Sequence, residues 1–194
     1  MKKYRAFDNR VEVNGQTILS FVNALGSMRK IGLKILADNG IENPRHGEWY
    51  LQQNWLDAFT YIANVADSST LYEIGSAIFD NAEFPPEIGN IYEALSSIDI
   101  AYHLNHRLNG EILFDKNTKE KKKGIGNYHY KEIHKKKIEI TCDNPYPCDF
   151  DRGIIYSMAK RFKPDDAYFV KVEHEKEKSC RDNGDSYCTY NVSW

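Results

Sequence analysis

Residues 177–188, reading E-K-S-C-R-D-N-G-D-S-Y-C, constrain the fold more than any other part of this chain. Asn183-Gly184 is a reversal signal, because glycine adopts the positive φ that tight turns need without steric cost. A reversal there brings Cys180 and Cys188 face to face, with Glu177 three residues before the first of them. With Cys148 upstream, four soft or acidic groups become available to a tetrahedral ion such as zinc, and the expected set is Cys148, Glu177, Cys180 and Cys188. Cys142, in T-C-D-N-P-Y-P-C, is the alternative to Glu177 as the fourth ligand. Core thiols or a disulfide are the competing reading. Three thiolates and a carboxylate leave no position for water, so the expected site is structural, with Lys176, Lys178 and Arg181 beside it in sequence to offset its charge.

Composition places few further limits. At 194 residues the chain is read as one domain, 1–194, with a mainly helical part over 1–108, a loop over 109–124 and a zinc-containing α/β part over 125–194. Thirteen Tyr and nine Phe give it more aromatic surface than usual. A net charge of -2 argues against a nucleic-acid partner. No apolar run is long enough for a membrane span, so a cytoplasmic location is expected, where free thiols and metal sites outnumber disulfides.

Along the chain, 10–13 read as a short strand and 17–37 as one long amphipathic helix, with Ile18, Phe21, Val22, Leu25, Met28, Leu33 and Leu36 at helical spacing. Gly26 and Gly32 within it suggest close packing, and a homodimer through this helix is the expected association. Three further helices follow, around Trp55 and Phe59, around Leu71 and Ile74, and around Ile91, Leu95, Ile98 and Tyr102, with His106 continuing the last stripe. Lysine-rich 109–124 read as a surface loop. The remainder reads as a hairpin over 127–141, a helix over 151–162 and two strands over 167–174 and 187–194 that pair through the cysteine turn. The fold class is therefore α+β: a helical half packed on an antiparallel sheet of about four strands, with one intervening helix and a zinc corner.

The E-x2-C-x7-C run of Glu177, Cys180 and Cys188, with Cys148 ahead of a short helix, resembles the 4-vinyl reductase domain family found in the sensory halves of phenol-responsive activators. The vesicle-tethering subunits and the haem nitric-oxide-binding domains are similar in overall shape. The resemblance covers about the last fifty residues well. It implies a structural zinc and a cavity between helices and sheet holding a small apolar or aromatic ligand, with signalling through a dimer or partner. The alternatives are an enzyme or accessory protein for a tetrapyrrole-like substrate, or a ligand-free scaffold. The Tyr-x-Ser-x-Arg haem clamp is not found, so haem is left as a minor alternative.

No hydrolase, NTPase or dinucleotide motif is present in the sequence, and the reading leans away from an enzyme, with no catalytic residues named. The candidate ligand-binding residues are Tyr102 and His106 on the helix and Tyr128 and Tyr130 on the hairpin, an apolar wall with a few polar tips. His103 and His106, spaced H-x2-H, are read as a solvated or capping pair before they are read as metal ligands.

Overall fold

The computed structural model describes residues 3–79, 84–175 and 177–194. Strand β1 (Val11–Asn14) buries Val11 and Val13 and leaves Glu12 and Asn14 half-exposed, the period-two pattern of a sheet covered on one side. Asn14 then caps helix α1 (Gly15–Ala24), its side-chain oxygen accepting from the Thr17 N–H.

The long helix expected over 17–37 is broken. A turn of 3-10 helix (Gly26–Met28) separates α1 from α2 (Arg29–Asp38). Gly26 has φ +50° with nothing within 4 Å of where a Cβ would sit, so it is the joint between helices and not a packing contact. Gly32 does pack closely, but against Leu25 of the same chain.

Strand β2 (Trp49–Leu51) leads into α3 (Gln52–Val65), which buries Trp55, Leu56, Phe59 and Ile62, and then α4 (Ser68–Ala77), capped by Asp67. Asn90 caps α5 (Ile91–Leu104), and two short strands follow, β3 (His106–Leu108) and β4 (Glu111–Ile112). Together they form an antiparallel sheet in the order β2-β1-β3-β4, with Val13 opposite both Tyr50 and His106. Of this sheet the sequence pattern shows only the short strand read over 10–13, which is β1. His106 opens a strand and does not continue the α5 stripe, because Asn105 closes the helix by donating its N–H to the Ala101 carbonyl. Residues 109–124 likewise carry β4 and a bridge between Phe114 and Lys121 instead of forming a bare loop.

The second half follows its pattern. Strands β5 (Tyr128–His134) and β6 (Lys137–Cys142) form the lysine-tipped hairpin, α6 (Cys148–Arg161) is the intervening helix, and β7 (Lys171–His174) pairs with β8 (Cys188–Ser193). The antiparallel sheet runs β5-β6-β8-β7. Its inner strand β8 buries Cys188, Tyr190 and Val192 at alternate positions. Among the described residues the fold is α+β, six helices with two four-stranded antiparallel sheets.

Helices α4 and α6 cross through glycine. A Cβ on Gly75 would lie 2.1 Å from the Phe150 carbonyl oxygen, and one on Gly153 would lie 2.2 Å from that of Tyr72. This close crossing holds α6 over the centre of the core, with Phe150 and Ile155 buried. No helix among the described residues is long and apolar enough to cross a membrane.

Candidate functional site

The end of α5, the start of β3, strand β5 and helix α6 surround a cavity of about 70 Å³, walled by Trp55, Tyr102, His106, Tyr128, Tyr146 and Phe150 among others. His106 is its most informative residue. Its Nδ1 lies 2.7 Å from the Tyr102 carbonyl oxygen and its Nε2 lies 2.7 Å from the Tyr146 hydroxyl. A carbonyl only accepts, so Nδ1 carries the proton and Nε2 presents its lone pair to the Tyr146 O–H. Burial pushes the imidazole pKa down to about 4, which leaves the ring neutral.

Tyrosines complete the wall. The Tyr102 hydroxyl donates to the Ile125 carbonyl (2.6 Å) and that of Tyr128 to Asp151 Oδ1 (2.5 Å), and burial raises both phenol pKa values well above normal. The Tyr102 ring packs on His106 at 4.6 Å and on Tyr128 at 5.4 Å between centroids. Trp55, on the same wall, has its indole N–H buried without an acceptor.

Of the four expected ligand-binding residues the cavity therefore gathers Tyr102, His106 and Tyr128. Tyr130 stands apart: it is half-buried in a surface depression with Asp99 and Lys121, and its hydroxyl donates to Glu132. Two residues along a twisted strand suffice to carry it past the helix end. His103 and His106 are both buried, against the expectation of a solvated pair, and His103 turns to the Asp99 carbonyl, 2.8 Å from its Nδ1. Sequence reasoning misses Trp55, Tyr146 and Phe150, which reach the cavity from separate elements with no shared spacing.

The second candidate is a sulfur corner. Cys148 opens α6, His174 ends β7, Cys180 sits in the following loop and Cys188 opens β8; one ligand atom from each lies within 4.8 Å of all the others. Cys148 Sγ is 3.2 Å from Cys188 Sγ and 4.0 Å from Cys180 Sγ. The loop is held by Asp185, whose carboxylate accepts from the Cys180 N–H at 2.8 Å, and by Gly184 in the left-handed conformation. His174 stacks on Tyr190 at 4.7 Å, and its ring nitrogens are shielded from solvent with the Cys188 sulfur as the neighbour that answers them.

Glu177, expected as a ligand, is exposed and outside the cluster: the chain turns after β7, so the strand end and not the turn faces the sulfurs. Cys142 lies opposite Cys188 in the β6–β8 register and is also outside it. Lys176 lies outside the described residues. Arg181 is the cation at the corner, its backbone N–H 3.3 Å and its Nε 3.4 Å from Cys188 Sγ. A shared proton resting on Cys148 holds the Cys188 thiol well below its usual pKa, with the His174 ring and then the Arg181 guanidinium adding to the effect.

No protein-family model matches the sequence, and no curated protein matches it. Solved structures match the fold. An H-NOX protein from S. oneidensis in its Fe(II)NO ligation state is similar at TM-score 0.63 and 12% identity, over 93% of this chain and 98% of that one. A single-residue mutant of T. tengcongensis H-NOX gives 0.64 and 15%, over 93% and 96%. A structure probing haem distortion in the H-NOX family gives 0.64 and 17%, over 93% and 94%. The chain has the fold of these proteins.

The resemblance to 4-vinyl reductase domains is overturned by this result, because nearly the whole chain follows H-NOX structures. With it fall the zinc-containing domain for apolar ligands, zinc as the cofactor and the setting aside of haem. The E-x2-C-x7-C spacing describes one loop of the corner.

Proposed function

We propose that this chain is a haem-binding, gas-sensing domain of H-NOX type, with His106 as the imidazole that faces the iron. The state of His106 carries the reading. It is a buried, neutral ring whose Nδ1–H is fixed on a backbone carbonyl, as metal-ligating histidines usually are, while Nε2 keeps its lone pair on the cavity side. The unanswered Trp55 N–H adds a donor to the same wall. Room is the condition. A cavity of about 70 Å³ is far below the roughly 300–1,000 Å³ of pockets that enclose organic ligands, so Tyr146 and Phe150 have to give way when a tetrapyrrole enters. Once bound, haem would supply an iron able to take up a diatomic ligand. The chain's own part is to exclude water with Ile98, Phe150 and Ile154 and, once Nε2 of His106 is taken up, to free the Tyr146 hydroxyl as a donor, while those of Tyr102 and Tyr128 stay on Ile125 and Asp151. Hemin titration of the purified protein tests this: one saturable equivalent with a shifted Soret band is expected, and it should be lost in His106→Ala. No saturable shift in the wild type, or an unchanged one in that variant, overturns it.

The convergence of four ligand atoms within 4.8 Å of one another favours a second reading, that the corner of Cys148, His174, Cys180 and Cys188 holds a soft metal ion. The His174 ring is shielded from water, and three sulfurs converge on it in place of oxygen or nitrogen partners. Three thiolates and one imidazole are a four-coordinate donor set. Against a divalent ion they leave one net negative charge, which Arg181 is placed to offset. Titration with Cd²⁺, read by sulfur-to-metal charge-transfer absorption, should show one equivalent per chain, and absence of the band overturns the reading.

A further inference from the structure

A buried hydrogen-bonded chain runs from the sulfur corner to the His106 cavity. It starts at Cys188 Sγ, which accepts from Arg181 Nε (3.4 Å). Arg181 Nη2 donates to Asp151 Oδ2 at 2.5 Å, and the other carboxylate oxygen accepts from the Tyr128 hydroxyl at 2.5 Å. Tyr128 is a wall of the cavity, and its ring touches Tyr102, which packs on His106. Asp151 is fully buried and the Arg181 side chain is 12% exposed, so water screens none of these charges effectively. The remaining Arg181 nitrogen, Nη1, donates to the carbonyl and side-chain oxygens of Asn144. The guanidinium is thereby shared between the Cys188 sulfur on one side and the Asp151 carboxylate on the other.

Resting on the reading of the corner as a metal site, we propose that the two sites are energetically coupled through Cys188, Arg181, Asp151 and Tyr128, so that occupancy of one sets the affinity of the other. A metal ion that draws on Cys188 changes the charge Arg181 must balance. Arg181 then leans more or less on Asp151, and the Tyr128 hydroxyl follows the carboxylate. By linkage the effect is reciprocal: a ligand that takes up the Tyr128 hydroxyl alters metal affinity by the same factor.

The test is Cd²⁺ titration of the full chain without haem, in the wild type, Tyr128→Phe and Tyr102→Phe. Tyr128 touches none of the four corner residues in the network above, yet Tyr128→Phe should weaken Cd²⁺ binding by about fivefold, the lower end of common coupling strengths. Asp151, having lost a donor, draws harder on Arg181. Tyr102→Phe removes a hydroxyl from the same cavity that bonds only to Ile125 in this network, and it should leave the affinity unchanged. A change under twofold in Tyr128→Phe, a change of opposite sign, or an equal change in Tyr102→Phe overturns the coupling while leaving the metal reading intact. Failure of the wild type to bind Cd²⁺ removes both. If Tyr128→Phe does not fold, NMR of the His106 ring in wild-type protein decides: its resonances should move on Cd²⁺ addition, and unmoved resonances overturn the proposal.

Discussion

Replacing Arg181 by methionine is the most demanding test of the buried network. The substitution keeps much of the side-chain volume and removes the only cation bonded to Asp151 among the described residues, a carboxylate with no exposed surface. Breaking a buried ion pair from one side costs about 3–5 kcal/mol, because the surviving charge is left uncompensated. For a domain of this size that is a fall in Tm of about 6–20 °C. The double variant Arg181→Met/Asp151→Leu should recover much of the loss, since a buried pair exchanged for apolar side chains is often neutral. A pH series adds a signature. Burial already raises the Asp151 pKa and Arg181 restrains it, so in Arg181→Met the folded value rises further. A carboxyl with a raised folded pKa favours the folded state below its unfolded value of about 3.9 and loses that contribution as pH climbs through the folded value. The penalty in the variant should therefore be smaller near pH 5 than near pH 8. Urea unfolding at both pH values measures it, and a loss below about 1 kcal/mol at pH 8, or one independent of pH, would refute the assignment of Asp151 and Arg181 as a charged pair.

Other outcomes follow from single residues. His106, with a folded pKa of about 4 against about 6.5 unfolded, contributes stability that is present above pH 6.5 and lost as pH falls through 4. This is worth about 3 kcal/mol, so His106→Gln should flatten the acid limb of a Tm-against-pH profile; an unchanged limb would show that the ring is not buried neutral. Gly153→Ala drives a methyl into the Tyr72 carbonyl and should cost about 3 kcal/mol or more in chemical denaturation, and a neutral result would mean that α4 and α6 are further apart than described. Glu177→Gln should bind Cd²⁺ as the wild type does, whereas His174→Ala should bind it about tenfold more weakly; the reverse order would restore Glu177 as the ligand.

The parts of this molecule legible in its sequence are those whose signal is local. Cys188, Tyr190 and Val192 alternate within one strand, and Ile154, Ile155 and Met158 recur within one helix, so β8 and α6 can be read within a few residues of their ends. Spacing singles out Cys180 and Cys188, and they do converge, with the more distant Cys148 beside them. It does not single out His174, because five residues separate it from Cys180 and only the pairing of β7 with β8, which sets His174 opposite Tyr190, brings it in. Beyond the strand read over 10–13, the first sheet is hidden for a related reason. Its strands have two to four residues each, too few for periodicity to register, and Val13 meets Tyr50 and His106 only across long stretches of chain. Arg181 and Asp151 stand thirty residues apart with nothing local to link them.

The crossing of α4 and α6 at Gly75 and Gly153 has a mechanical consequence. With backbone seated on backbone there is no side-chain cushion to absorb sliding, so the two helices behave as one lever. Phe150 and Ile154 of α6 line the cavity that must widen for a large ligand, and any swing of α6 that widens it carries Ser68–Ala77 along. Displacement at the cavity would thus be delivered to the outer face of α4, where Glu73 is exposed. Hydrogen exchange should report the linkage directly, with the amides of α4 and α6 slowing together when the cavity is filled, and a response confined to α6 would show that the lever slips.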